Sequence, residues 1–288
     1  MIAIYRREMR SYFQNVIGYV VLTVLLLTAG ILCTIINVVQ KSTFFSDTLY
    51  YLQFSLALVV PLLTMRSFTE ERKNRTDQLL YSLPVPLWKI VLGKYFAMVS
   101  VLGLGCLIIA VYPLLLSLFG MGNFSTAYSM LFGFFLLGSA LIALSALLSS
   151  LTDNLIVSII LSVLGIAALF AIDTFVMVLV DVSAVLSLII LVVLALLVSL
   201  AVLGFTKNVY FSGLCAAVLV VPQVVIFTIN SSVYDGLAYR LARHISLFYR
   251  YEVFGKSIFD LTSVLYYVSF AALFLYATWQ MMERRRRV

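Results

Sequence analysis

Between Leu155 and Leu203 the chain runs 49 residues with charge only at Asp173 and Asp181. A stretch this apolar has no polar face to turn toward water. It is about twice the ~20 residues that one helix needs to cross ~30 Å of hydrocarbon. Lipid is therefore the solvent in which most of this chain folds. Composition agrees: 64% of the 288 residues are hydrophobic and 11% are charged, against about 25% charged in an ordinary soluble domain. That balance excludes disorder and an ordinary soluble enzyme, and it leaves no room for a large soluble domain.

The apolar runs predict an all-α, polytopic membrane helical bundle of about eight transmembrane helices. The first span is expected at Val16–Val39, too long for a signal-peptide core and so read as retained. Others are expected near Leu49–Met65, Leu87–Phe119 and Tyr128–Leu151. Leu155–Leu203 is long enough for two more around a turn at Asp181–Ser183. A seventh is expected at Tyr210–Ile229 and an eighth at Leu261–Met282.

Charge tests the count. Arg6, Arg7 and Arg10 precede the first span, and Arg284–Arg287 follow the last. The positive-inside rule puts both termini in the cytoplasm, which requires an even number of spans. With eight, fourteen of the nineteen basic residues fall inside, and Lys41, Arg240, Arg243, Arg250 and Lys256 fall outside. Six spans with two re-entrant segments keep the same parity. A net charge of +7 beside apolar runs points to lipid headgroups and not to nucleic acid.

Three polar segments carry functional information within this single domain, 1–288. In 1–14, Ile2, Tyr5, Met9, Tyr12 and Phe13 recur at helical spacing with Arg6, Arg7 and Arg10 between them. This predicts an interfacial elbow helix, with Tyr5, Arg6, Met9 and Arg10 as its candidate residues. In 66–88, a stretch dense in both charge signs leads into Leu79, Leu80 and Leu83 on one side of a helix, which Pro84 and Pro86 then stop. A leucine stripe closed by Pro-x-Pro suits a cytoplasmic partner better than a solvated loop. In 231–260, Leu237, Leu241, Ile245 and Phe248 recur at three- and four-residue spacing among arginines. That segment is too charged for a span and reads as an extracytoplasmic interfacial helix.

Reactive chemistry is hard to place. No P-loop pattern occurs, and Gly93-Lys94 lacks the upstream glycine and the following hydroxyl. There is no H-E-x-x-H and no G-x-S-x-G, and His244 is the single histidine. Cys33, Cys106 and Cys215 lie in apolar runs without metal spacing. Asp173, the main intramembrane acid, is a candidate substrate-path residue, although interfacial solvation also explains it. A secondary transporter or channel, a membrane enzyme and a non-catalytic scaffold stay open at this level.

The stretch Met65–Lys94 resembles the permease subunits of ABC-2-type transporters. The matching residues are Glu70, Glu71, Arg72, Thr76, Leu79, Leu80, Pro84, Ile90, Gly93 and Lys94. Phe254-Gly255, Ile258-Phe259-Asp260, Tyr266-Tyr267 and the terminal arginines resemble the gliding-motility-type branch. Arg75 and Gln78 stand where family members often carry glycine and glutamate. The usual permease has six spans, so the extra pair would lie between Asp173 and Ile229.

The resemblance implies a permease subunit, not itself an enzyme, of an ATP-driven exporter in the cell membrane of a prokaryote. It implies a separate ABC ATPase that binds ATP and Mg, with no cofactor held by this chain. It also implies a second permease subunit, as homo- or heterodimer, and an extracytoplasmic gliding-type auxiliary protein. The coupling residues would be Phe68, Glu70, Glu71, Arg72, Thr76, Leu79, Leu80, Leu83 and Pro84.

Overall fold

In lipid every backbone polar group must be satisfied within the protein, and a helix does so within one segment. The computed structural model follows that rule. It describes residues 1–73, 86–118, 123–178, 185–193, 195, 199, 209–229, 234, 237–256 and 260–286. Among them there are helices, turns and no strand.

The chain opens with α1 (Ile2–Gln14), then α2 (Ile17–Cys33), which a π-helical stretch extends to Val39. Next come α3 (Phe45–Leu52), a 3-10 turn at Gln53–Ser55, and α4 (Leu56–Lys73) with Pro61 inside it. They are followed by α5 (Leu87–Ile109), α6 (Tyr112–Ser117), α7 (Phe124–Leu151) and α8 (Leu155–Val178). The chain finishes with α9 (Val209–Ile229), α10 (Leu237–Ile245), α11 (Leu247–Phe254) and α12 (Leu261–Arg286).

Six helical stretches among the described residues are long and apolar enough to cross a membrane. They are Ile17–Val39, Phe45–Glu70, Leu87–Ser117, Phe124–Leu151, Leu155–Thr174 and Leu261–Arg284. These correspond to the expected first five spans and the last. The expected turn at Asp181–Ser183 lies outside the described residues; of the expected sixth span, 185–193, 195 and 199 are described and are helical. The expected seventh lies on α9, whose apolar portion Cys215–Thr228 is shorter.

The second span differs from its expected bounds at both ends. Four residues earlier than Leu49, the helix already begins at Phe45, because the polar residues there are satisfied internally. Thr48 Oγ1 donates to Asn37 Oδ1 at 2.6 Å, and Asn37 Nδ2 donates to the carbonyls of Ser42 and Phe44. Asn37 and Thr48 are fully buried, so this cluster closes the turn between the first two spans. At the other end the helix continues past Met65 to Lys73.

Packing divides the described chain into two compact units, Met1–Ala168 with Arg250–Val288, and Leu169–Tyr249. In the first unit α7 is central: 78% of its apolar window is buried, against 22% for Ile17–Val39. Lipid tails are as apolar as leucine, so helices associate through close packing of small residues and not through a hydrophobic drive. A Cβ on Gly138 would lie 2.5 Å from Leu102 Cδ2, and one on Gly133 would lie 2.8 Å from the Phe254 ring. The residues of α11 that fill this core are Tyr251 and Phe254, both fully buried. Tyr251 Oη donates to the Leu49 carbonyl at 2.9 Å. Segment 231–260 thus carries core residues as well as the expected amphipathic stripe. In the second unit Phe170 stacks on Phe248 at 3.7 Å, and Tyr234 Oη donates to the Gln223 carbonyl at 2.8 Å.

Asp260 caps α12. Its carboxylate accepts from the Ser263 hydroxyl at 2.6 Å and from the amides of Thr262 and Ser263 at 3.1 Å. The Ser263 hydroxyl bond first, helped by the bonds to Thr262 and the Ser263 amide, holds the carboxyl below the ordinary aspartate value. The sign follows: a folded value below the unfolded one adds stability at higher pH that is lost as pH falls through it. Asp260→Ala is expected to cost about 1 kcal/mol and to flatten the acid limb of a pH–stability profile. Gly138→Leu overpacks the α5–α7 contact and is expected to cost about 1–3 kcal/mol in thermal unfolding in detergent. Gly213→Ala, where a Cβ meets nothing within 4 Å, should stay within about 0.5 kcal/mol.

Candidate coupling site

The sequence from Leu92 to Met98 places one lysine in an apolar helix, and its charge must be answered locally. Lys94 has no exposed surface. Its Nζ donates to the carbonyl of Ser67 on α4. It lies 3.8 Å from Glu8 Oε1 on α1 and 5.0 Å from the centre of the Phe68 ring. A carboxylate, a carbonyl and an aromatic face are the groups that make a buried ammonium tolerable. They come from two other helices, so α1, α4 and α5 meet at one charge.

Glycine makes the approach possible. A Cβ on Gly93 would sit 3.0 Å from Ile4 Cγ2 and 3.4 Å from the Met1 carbonyl oxygen. Its absence lets α1 lie against α5 close enough for Glu8 to reach Lys94. Two tyrosines fix the orientation of α1. Tyr5 Oη donates to Ser100 Oγ at 3.0 Å, and Tyr12 Oη donates to the Leu63 carbonyl at 2.8 Å. Glu8 is 8% exposed and also accepts from Arg7 Nη2 at 2.8 Å.

The last turns of α4 are held to α7 by hydroxyls. Thr69 Oγ1 and Ser149 Oγ are 2.9 Å apart, and Ser149 Oγ donates to the Thr64 carbonyl at 3.1 Å. All three residues are fully buried. Beside them Arg66 makes a two-point ion pair with Glu70, one turn further along.

The expected site residues fall into groups. Tyr5 joins the α1–α5 contact, Met9 is half-buried, and Arg6 and Arg10 are exposed. Phe68, expected among the coupling residues, is 5% exposed, so its ring supports the joint from inside. Glu70 is engaged by Arg66. Glu71 and Arg72 lie on the final turn of α4, with side chains outside the described residues. Thr76, Leu79, Leu80, Leu83 and Pro84 lie outside the described residues altogether. Asp173 accepts from Ser246 Oγ at 2.5 Å, and that same oxygen accepts from the Tyr249 amide at 3.0 Å.

The sequence reading missed Glu8, Ser67 and Thr69. Glu8 carried a signal: it is the single acid among three arginines, and it shares a helical face with Ile4 and Tyr12. Ser67 acts through its backbone carbonyl, which no side-chain pattern reveals. Among the described residues no cluster of His, Cys, Asp or Glu is placed to hold a metal ion.

The fold and this joint define a multi-pass helical membrane protein with a polar interlock at one end of its bundle. The profile of the ABC-2 family transporter protein matches residues 27–211, more than half of the chain, and the chain belongs to that family. It is thus a transmembrane permease of the ABC transporter class. No curated protein and no solved structure matches it.

A Glu8→Gln, Lys94→Met double-mutant cycle measured by unfolding in detergent is expected to give a coupling energy of about 1–3 kcal/mol. Arg7→Gln removes a pair whose arginine is 53% exposed and should change stability by less than about 1 kcal/mol.

Proposed function

We propose that this chain is the membrane-spanning subunit of an ATP-driven exporter, coupled to a separate ABC ATPase that binds ATP and Mg. The family generally works with such an ATPase and with paired permeases. The observation that supports the coupling role is the interlock at Lys94. It ties the end of α4 and the start of α5, which carry the two ends of segment 66–88, to each other and to α1.

In this reading the ATPase docks on Glu70 to Leu83, with Leu79, Leu80 and Leu83 as the apolar contact, Thr76 on the same segment, and Pro84 ending it. Glu71 and Arg72 supply charge at its root, and Phe68 anchors it from within. ATP binding changes the contact energy of the docked segment between two states, which is what a coupling element requires. The shift then enters α4 and α5 together as a rigid-body displacement. Both termini are cytoplasmic, the complete set is eight spans, and the chain resides in a prokaryotic cell membrane. Two permease subunits form the path, which Asp173 borders, and a gliding-type auxiliary protein engages the outer face.

Leu79→Glu with Leu83→Glu is expected to abolish substrate-stimulated ATPase activity and transport in reconstituted vesicles, while membrane insertion is kept. Full coupled activity in that variant would remove the docking assignment. Transport driven by an ion gradient without any ATPase would instead establish a secondary transporter or channel.

A further inference from the structure

Helix α1 carries three different faces around its circumference. Glu8 and Tyr12 point into the bundle. Tyr5 and Met9 line one end of an apolar groove of about 560 Å³ formed with α5 and α7. Arg6 and Arg10 lie about 100° further round, as the next residues at 3.6 per turn. With Ile2 and Ala3 they line a second recess of about 430 Å³, whose rim is completed by Arg7. Both arginines are exposed, and neither makes an ion pair among the described residues.

The groove has a defined depth. It runs along α5 from Ser100 to Ala110, which at 1.5 Å per residue is about 15 Å. That is half of a ~30 Å hydrocarbon core, the thickness of one leaflet. Arg6 and Arg10 each follow directly on a residue that lines the groove, Tyr5 and Met9, so two guanidinium groups one turn apart flank one end of an apolar groove about one leaflet long. The complementary ligand is a single molecule with an anionic head and an acyl tail.

We propose that α1 and the α5–α7 groove form a binding site for an anionic phospholipid. The phosphate sits on Arg6 and Arg10, and one acyl chain lies along the groove past Tyr5 and Met9. A zwitterionic lipid fills the groove equally well but gains less from the two cations, and free phosphate has no chain to place. The site uses the outer faces of α1 and needs neither the ATPase nor segment 66–88, so it stands or falls separately from the coupling reading.

The test is native mass spectrometry of the 288-residue chain purified in detergent with equal amounts of phosphatidylglycerol and phosphatidylcholine. The wild-type protein is expected to retain phosphatidylglycerol over phosphatidylcholine by roughly tenfold or more, as two cations at a membrane surface should give. Arg6→Gln with Arg10→Gln should bring that preference to within about twofold. Gly103→Leu, where an added Cβ would lie 3.4 Å from the Phe135 ring, should fill the groove and lower retention of both lipids. Millimolar inorganic phosphate should leave the bound lipid in place. Equal retention of the two lipids by the wild-type protein would overturn the proposal without recourse to any variant. So would an unchanged preference in the arginine variant, or displacement of the lipid by inorganic phosphate.

Discussion

Burying an ammonium costs several kcal/mol even after the protein relaxes around it. At Lys94 Glu8, the Ser67 carbonyl and the Phe68 ring together help to offset that cost. The three groups belong to α1 and α4, and the lysine belongs to α5. Withdrawing α1 or α4 would strip a buried ammonium of groups that answer its charge. The interdependence of the three elements is therefore electrostatic, and Gly93 is the steric condition for it.

The rest of the first unit is organised by a different economy. Helix α7 sits at the centre because its small residues let neighbours come close, with Leu102 over Gly138 and Phe254 over Gly133. Hydroxyls on α4 and α7 then satisfy one another and nearby carbonyls at Thr64, Thr69 and Ser149. Close packing sets the position of α7, and hydrogen bonds fix its register against α4.

Hydropathy made five of the spans and the last helix legible, because a lipid solvent leaves little choice for a long uncharged run. It failed where polar residues are satisfied inside the bundle. Ser46, Asp47 and Thr48 put the expected start at Leu49, yet Thr48 is bonded to Asn37, so the helix starts earlier, at Phe45. Met65 looked like an end because Arg66 follows, yet Ser67, Phe68 and Thr69 are buried. In 231–260 the aliphatic stripe was visible, whereas the core role of Tyr251 and Phe254 depends on gaps left by α3 and α7. Of the Lys94 joint, the motif residues Gly93 and Lys94 were legible and their partner Glu8 was not, since it is 86 positions from Lys94 in sequence.

Pro61 divides α4 between two fixed ends. Toward its start, the Asn37–Thr48 cluster clamps the preceding turn, and toward its finish Ser67 and Thr69 are clamped to α5 and α7. A proline lacks the amide that would bond the carbonyl four residues earlier, here Ala57. One turn on, the Thr64 hydroxyl bonds back to the carbonyls of Val60 and Pro61 at 3.1 and 3.4 Å, a pattern that bends helices. Mechanically, α4 is a rod with stiff grips and one compliant section. The half of α4 beyond Pro61 can therefore move with α5 as one body, while flexure at mid-length spares the far grip.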